Sequence, residues 1–319
     1  MSDSFIAVDI GGTQIRTALC DPAGGIHRRA ADLTAGHEGH DAVMDRIERA
    51  IRQVWPADGR VTAIGVAAPG PLDPWSGVVF EAPNIPCWED YPLRDVIQER
   101  LGVPTLVGND ANGAALAEQR FGAGQGKQDL IYITVSTGVG GGIIVNGGLL
   151  LGAHGLAGEI GHIIVEPDGP PCGCGNRGCL EALASGPSIA RQARQWILAG
   201  ESSRALELAQ GDSNAITAKI LNQAAQEGDR LAVDVFRQAG TYLGIALVSL
   251  LHLFDPSIVV IGGGVSKAGD LLLEPACEVV RQRCMTDRYW RDTPIVPAAL
   301  GDDVGLLGAL ALVLTSALS

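Results

Sequence analysis

Residues 5–20 read FIAVDIGGTQIRTALC. Six residues, five of them apolar, end in a Gly-Gly turn, and a second run alternates apolar with polar positions. This predicts a strand over 5–10, a turn at 11–12 and a second strand over 14–20. The DPAGG turn at 21–25 leads into a third strand. The same plan starts again near residue 130, where LIYITVSTGVGGGIIVNGG places two apolar strands around a glycine-rich turn, with a further turn at Asn146–Gly148. Working outward, Val43, Ile47, Ile51 and Val54 share one face of a helix over 41–55. VTAIGVAAPGPLD (61–73) is a buried strand running into a Pro/Gly turn. PLRDVIQERLG (92–102) is a helix closed by Gly102. TLVGND (105–110) is a strand, and ANGAALAEQRFG (111–122) is a helix. Residues 186–254 are mostly helical, SIVVIGGGVS (257–266) is a buried strand ending in three glycines, and 304–318 is an apolar closing helix. Strands interleaved with helices, in two similar sets, predict an α/β fold built by structural duplication, with a hinge near 120–128.

The chain has 319 residues, 46% of them hydrophobic, 18% charged, with 43 glycines. That is a globular composition with length for two domains. A net charge of −13 disfavours a nucleic-acid partner, which needs a basic face. The start, MSDSFIAVDI, lacks the basic and apolar regions of a secretion signal, so the expected compartment is the cytoplasm, without disulfides. The uncharged stretch 130–158 is long enough for a membrane span. It contains Thr134, Ser136, Thr137, Asn146, His154 and many glycines, however, so strand–turn–strand explains it and no membrane partner is expected.

Three glycine turns follow apolar strands: Gly11–Gly12, Gly138–Gly142 and Gly262–Gly264. Glycine lets backbone N–H groups approach an oxyanion closely. Thr13, Ser136 and Thr137 add hydroxyls, and Asp9 can hold a hydrated Mg²⁺. GAGQGK (122–127) is not a P-loop, because that frame puts Phe121 at its first glycine and Gln128 at its Ser/Thr. No dinucleotide fingerprint is present. Asp110, at a predicted strand end, is placed either to act in catalysis or to cap the following helix.

Cys172, Cys174 and Cys179 lie within eight positions, while the rest of the chain holds four cysteines. Three clustered thiolates suit tetrahedral Zn²⁺, with His154 and His162 as nearby candidates for a fourth ligand. A disulfide leaves one thiol over; three free thiols are the other alternative.

DIGGTQIRTAL, PNIPCW, GNDANGAALAE, TGVGGGIIVNG, GEIGH, CGCGNRGCLE and DPSIVVIGGGVS together resemble the ROK family of sugar kinases, over residues 5–266. The resemblance implies the two-lobed fold with a central cleft shared by actin, hexokinase and the Hsp70 ATPase domain (a ribonuclease H-like α/β fold). The small lobe would be 1–119 plus 303–319, and the large lobe 120–302 with the zinc-binding loop. It implies ATP with Mg²⁺ as phosphoryl donor. Asp9, Gly11, Gly12 and Thr13 would form one phosphate loop, Thr137, Gly138 and Gly140 a second, and Gly262, Gly263 and Gly264 would border the adenosine. Asn84, Asn109, Asp110, Glu159, His162 and Glu181 would hold the sugar, with Asp110 as catalytic base. One Asp, two Glu, two Asn and a His suit a polyhydroxyl ring. His162 becomes the implied fourth ligand beside Cys172, Cys174 and Cys179, so that the ion would order three sugar-binding residues without touching ATP. On the same footing, Gly138→Val would disturb ATP far more than sugar.

APNIPCW is similar to the segment in the family's glucokinases, so glucose is the expected substrate. N-acetylglucosamine, N-acetylmannosamine, fructose and allose are alternatives within the family. A sugar-sensing protein without catalysis would be expected to have lost Asp110 or a phosphate loop, and a chaperone-like ATPase would lack the sugar set. The family's repressors carry a winged helix-turn-helix ahead of the DxGGT strand. That strand begins here at residue 5, so no nucleic-acid role is expected. The resemblance also implies a homo-oligomer, dimer or tetramer.

Overall fold

The computed structural model describes residues 3–57, 59–82 and 84–316. Residues 317 and 318 of the expected closing helix, and Pro83 of PNIPCW, lie outside them. The first half runs β1 (Phe5–Ile10), β2 (Gln14–Cys20), β3 (Ile26–Leu33), α1 (His40–Val54), β4 (Ala63–Ala68), β5 (Leu72–Asp73), β6 (Val78–Glu81), β7 (Glu89–Tyr91), α2 (Leu93–Leu101), β8 (Thr105–Asn109) and α3 (Asp110–Phe121). The second runs β9 (Leu130–Val135), β10 (Val139–Val145), β11 (Gly148–Leu149), α4 (Leu180–Ala184), α5 (Gly186–Leu198), α6 (Arg204–Leu208), α7 (Ala218–Gln226), α8 (Arg230–Phe254), β12 (Ile258–Gly262), α9 (Asp270–Arg283), β13 (Ile295–Pro297) and α10 (Val304–Ser316).

Two five-stranded sheets result, ordered β3-β2-β1-β4-β8 and β11-β10-β9-β12-β13. In each, the first strand pairs antiparallel with the second and parallel with the fourth in its order. The duplicated strand–turn–strand plan is therefore a duplicated sheet. A small sheet, β5-β6-β7, hangs from the first half and was not anticipated. Its strands of two to four residues carry too little periodicity to read.

α1 buries Val43, Ile47, Ile51 and Val54 against the first sheet, as its spacing predicts. The 25-residue apolar helix α8 is long and apolar enough to cross a membrane by composition. Its buried residues instead pack in the second core with α4, α5, α7 and α9. α3 and α10 lie side by side between the two sheets. α10 packs on β1 and β4, while α3 packs on β9 and β10. Their backbones meet at Gly113 and Gly308: a Cβ on Gly308 would stand 2.8 Å from the Gly113 carbonyl carbon. This close approach sets the distance between the halves.

Candidate active site

The expected residues come together around the N-terminus of α3. Asn109, not Asp110, is the cap. Its Oδ1 accepts the N–H groups of Ala111 and Asn112 at 3.0 and 3.1 Å, and its Nδ2 donates to the Gly70 carbonyl at 3.3 Å. The strand accordingly ends one residue early and Asp110 opens the helix. Relieved of capping, the Asp110 carboxylate remains reachable by solvent and takes one local bond, from the Ala111 N–H at 2.8 Å. Water reaches it although protein crowds it on most sides. That crowding, reinforced by the charges of Asp9 and Glu159, overrides the Ala111 bond and raises its pKa to about 6.

The glycine turns converge on this point. Gly140 approaches the Ala111 side chain, so the strand after the second turn runs beside Asp110. Gly263 adopts φ +89° with its α-carbon against Val135, and Gly264 faces the Ser136 hydroxyl, which joins the third turn to the second. Thr137 is exposed at the tip of that turn. In the first turn Gly11 is held by the Thr34 hydroxyl at 2.6 Å, Thr13 is exposed, and Gly12 lies against the Asn84 side chain so closely that a Cβ would overlap it. Asp9 is not free: its Oδ2 accepts two N–H groups of the Arg16 guanidinium, which also donates to the Asp302 carbonyl at 2.7 Å. Sequence reading missed Arg16. The hairpin register, which sets Asp9 opposite Arg16, was the available signal.

Beside the second turn, Glu159 sits exposed at the start of a 3-10 turn over Ile160–His162, which places it and His162 three residues apart on one side. Gly161 lets this turn press onto the Val139 carbonyl. Glu181, in the first turn of α4, is no solvated surface carboxylate. Its Oε2 accepts the Val139 N–H at 2.9 Å and lies where a Cβ on Gly138 would be, 2.6 Å away. Glu181 thus touches the second glycine turn directly, and the turn carrying Glu159 and His162 reaches it through Gly161.

His162, Cys172, Cys174 and Cys179 form one cluster, their ligand atoms all within 4.8 Å of one another. Cys172 Sγ lies 3.8 Å from His162 Nδ1, and Cys174 Sγ 3.7 Å from Cys179 Sγ. A tetrahedron with metal–sulfur bonds of about 2.3 Å has sulfur–sulfur edges of about 3.8 Å, so the donor set fits a divalent ion. None of the three cysteines is in a disulfide. Backbone donation from Asn176 lowers the Cys174 pKa, while burial and the neighbouring thiols push Cys179 up to about 12. Crowded thiolates penalise one another, and a cation removes that penalty. His154 does not belong to the cluster.

A sequence profile of the ROK family matches residues 5–316. The chain belongs to the ROK family. It is 38% identical to a glucokinase of Thermotoga maritima over 97% of this chain and 96% of that enzyme. Among solved structures, a ROK glucokinase of Streptomyces griseus in complex with glucose and AMPPNP superposes with a TM-score of 0.85 at 40% identity, covering 97% of this chain and 98% of that one. A xylose repressor of Caldicellulosiruptor bescii is 32% identical over 99% of this chain but 79% of its own length. The fold is the two-lobed, actin-like ATPase fold.

Proposed function

We propose that this chain is an ATP-dependent hexose kinase that converts glucose to glucose 6-phosphate. The observation that carries the reading is Asp110: an uncapped, solvent-reachable carboxylate with a raised pKa, standing where the glycine turns meet Glu159 and Glu181. Near-full-length similarity to glucokinases supports it.

In this reading Asn84, Asn109, Glu159, His162 and Glu181 hold the sugar. Asp9, Gly11, Gly12 and Thr13 cradle phosphates from one side, Thr137, Gly138 and Gly140 from the other, and Gly262, Gly263 and Gly264 border the adenosine. Asp110 accepts the proton of the 6-hydroxyl. That oxygen bonds the γ-phosphorus as the bond to the β,γ-bridging oxygen breaks, and the electron pair leaves with ADP. Mg²⁺ supplies charge neutralisation on the phosphates. Asp9 Oδ1, the oxygen that Arg16 leaves free, is the one to receive its hydration shell. The lobes would divide at 1–119 plus 303–319 and 120–302, and their closure would exclude water as a competing acceptor. The cysteine cluster would hold structural Zn²⁺ through His162 Nδ1, which leaves Nε2 for a sugar hydroxyl. The enzyme would work in the cytoplasm, as a dimer or tetramer.

ADP release measured across about ten sugars, with N-acetylglucosamine, N-acetylmannosamine, fructose and allose among them, is expected to give glucose the highest kcat/KM. Asp110→Asn should lower kcat by roughly 10²–10⁴-fold while calorimetric glucose binding persists. Near-wild-type kcat in that variant overturns the assignment. A sugar sensor would bind glucose and release no ADP.

A further inference from the structure

Glu118 is fully buried at the far end of α3, and the chemistry described above does not use it. Its carboxylate accepts three backbone N–H groups: Ala123 at 2.8 Å and Ala299 at 3.2 Å on Oε2, and Leu300 at 3.0 Å on Oε1. Its own carbonyl accepts Gly122 at 3.1 Å and Gly124 at 2.9 Å. The chain passes between the two sheets at two places. One is the α3–β9 connection, which contains Ala123; the other is the β13–α10 connection, which contains Ala299 and Leu300. One side chain therefore ties both crossings together. Gly122 is shaped for it, since a Cβ there would lie 2.1 Å from Oε2.

We infer that Glu118 is the pivot on which the two halves turn, and that it positions Asp110 through α3. The two residues are eight apart on one helix, about 12 Å along its axis. A buried carboxylate without these N–H donors is costly, so the three bonds hold or fail together. Closure about a fixed point keeps the crossings in register while α3 delivers Asp110 to the reacting hydroxyl. Reaction rates are sensitive to small misplacements of this kind. The exposed ends of the second crossing are tied separately, by Arg29 and Lys267 to Asp303 and Asp302, and these ties do not reach the first crossing. The link to catalysis rests on the kinase reading; the link between the crossings does not.

Glu118→Gln replaces one acceptor oxygen by an NH₂ group that opposes an N–H. Amide hydrogen exchange of the ligand-free chain is expected to show residues 122–130 and 298–304 losing protection together, by about 10-fold or more. In parallel kcat should fall roughly 10–10²-fold, with the calorimetric Kd for glucose changed less than about 3-fold. If either segment keeps its protection, or if kcat is unchanged, the inference is overturned. Where Glu118→Gln does not fold, Gly122→Ala displaces the carboxylate without removing it and is expected to move both readouts in the same direction; wild-type values for both overturn the inference. If the wild-type chain does not phosphorylate glucose at all, the kinase reading fails, and the exchange data still judge the pivot.

Discussion

Asp110 differs from an ordinary helix-opening aspartate because Asn109 carries the cap in its place. Both residue types cap well, and nothing local in GNDANG decides which side chain turns back. The presence of an acid at the strand end was legible, but its freedom was not. The raised pKa of about 6 makes two predictions. Acting as a base, the carboxylate must be ionised, so kcat/KM for glucose should fall on the acid side with an apparent pKa near 6. Glu159→Gln, which removes one of the charges raising it, should move that limb to lower pH. The linkage runs the other way for stability. An unfolded aspartate titrates near 3.9, so between about 4 and 6 the folded chain holds more of this proton, and stability is lost as pH rises through that window. Asp110→Asn should therefore melt higher than wild type at pH 7.5, with the gain shrinking toward pH 4. Scanning calorimetry across that range checks it, and an unchanged Tm at pH 7.5 would show that the site carries no such cost. Arg16, which sequence reading missed, has nothing in its own neighbourhood to mark it. Only pairing across the hairpin gives it Asp9.

At the scale of elements, the glycine turns and the main strands follow from periodicity, whereas the joins between them do not. α4 is the clearest case. Cys179 precedes it, Glu181 lies in its first turn, and Gly186 just beyond it donates to the Ser136 carbonyl at 2.8 Å. From sequence, loss of the metal was expected to weaken sugar binding and stability, with ATP contacts suffering less. The structure ties the second glycine turn to α4 through Val139 and Glu181, and to the start of α5 through Ser136 and Gly186. These bonds span 42 and 50 residues, so no local pattern announces them. Cys174→Ser, or a strong chelator, should accordingly weaken both glucose and AMPPNP binding in calorimetry, by comparable factors. Metal analysis should find about one zinc per chain before treatment. Gly138→Val should behave alike, since its Cβ would overlap Glu181 Oε2 rather than only the phosphate space. A variant that loses nucleotide affinity while keeping full glucose affinity would cut the connection between α4 and the turn.

For the whole molecule, the repeated strand–glycine–strand plan pointed correctly to duplication, yet the contact between the copies was hidden. β13 has three residues, and Glu118 meets Ala299 and Leu300 across 181 and 182 positions. What the sequence does disclose is the uniform apolarity of α10, which means a helix buried on all sides. Its position between the sheets makes the α3–α10 contact the seam of the molecule. Gly308 tests that seam, because two effects of known size oppose each other there. Alanine for glycine inside a helix gains about 1 kcal/mol in propensity. At this site, however, the new Cβ would meet the Gly113 carbonyl carbon at 2.8 Å and the Ala114 nitrogen at 3.0 Å, backbone atoms that cannot rotate away. Forcing extra volume into a packed interior costs about 1–3 kcal/mol. The clash should win, so Gly308→Ala is expected to lower the urea midpoint without changing the m-value. Because the displaced surface is the one along which the halves meet, kcat for glucose should fall as well. A midpoint equal to or above wild type would mean that α3 and α10 have room to separate, and that the seam is not held by this glycine pair.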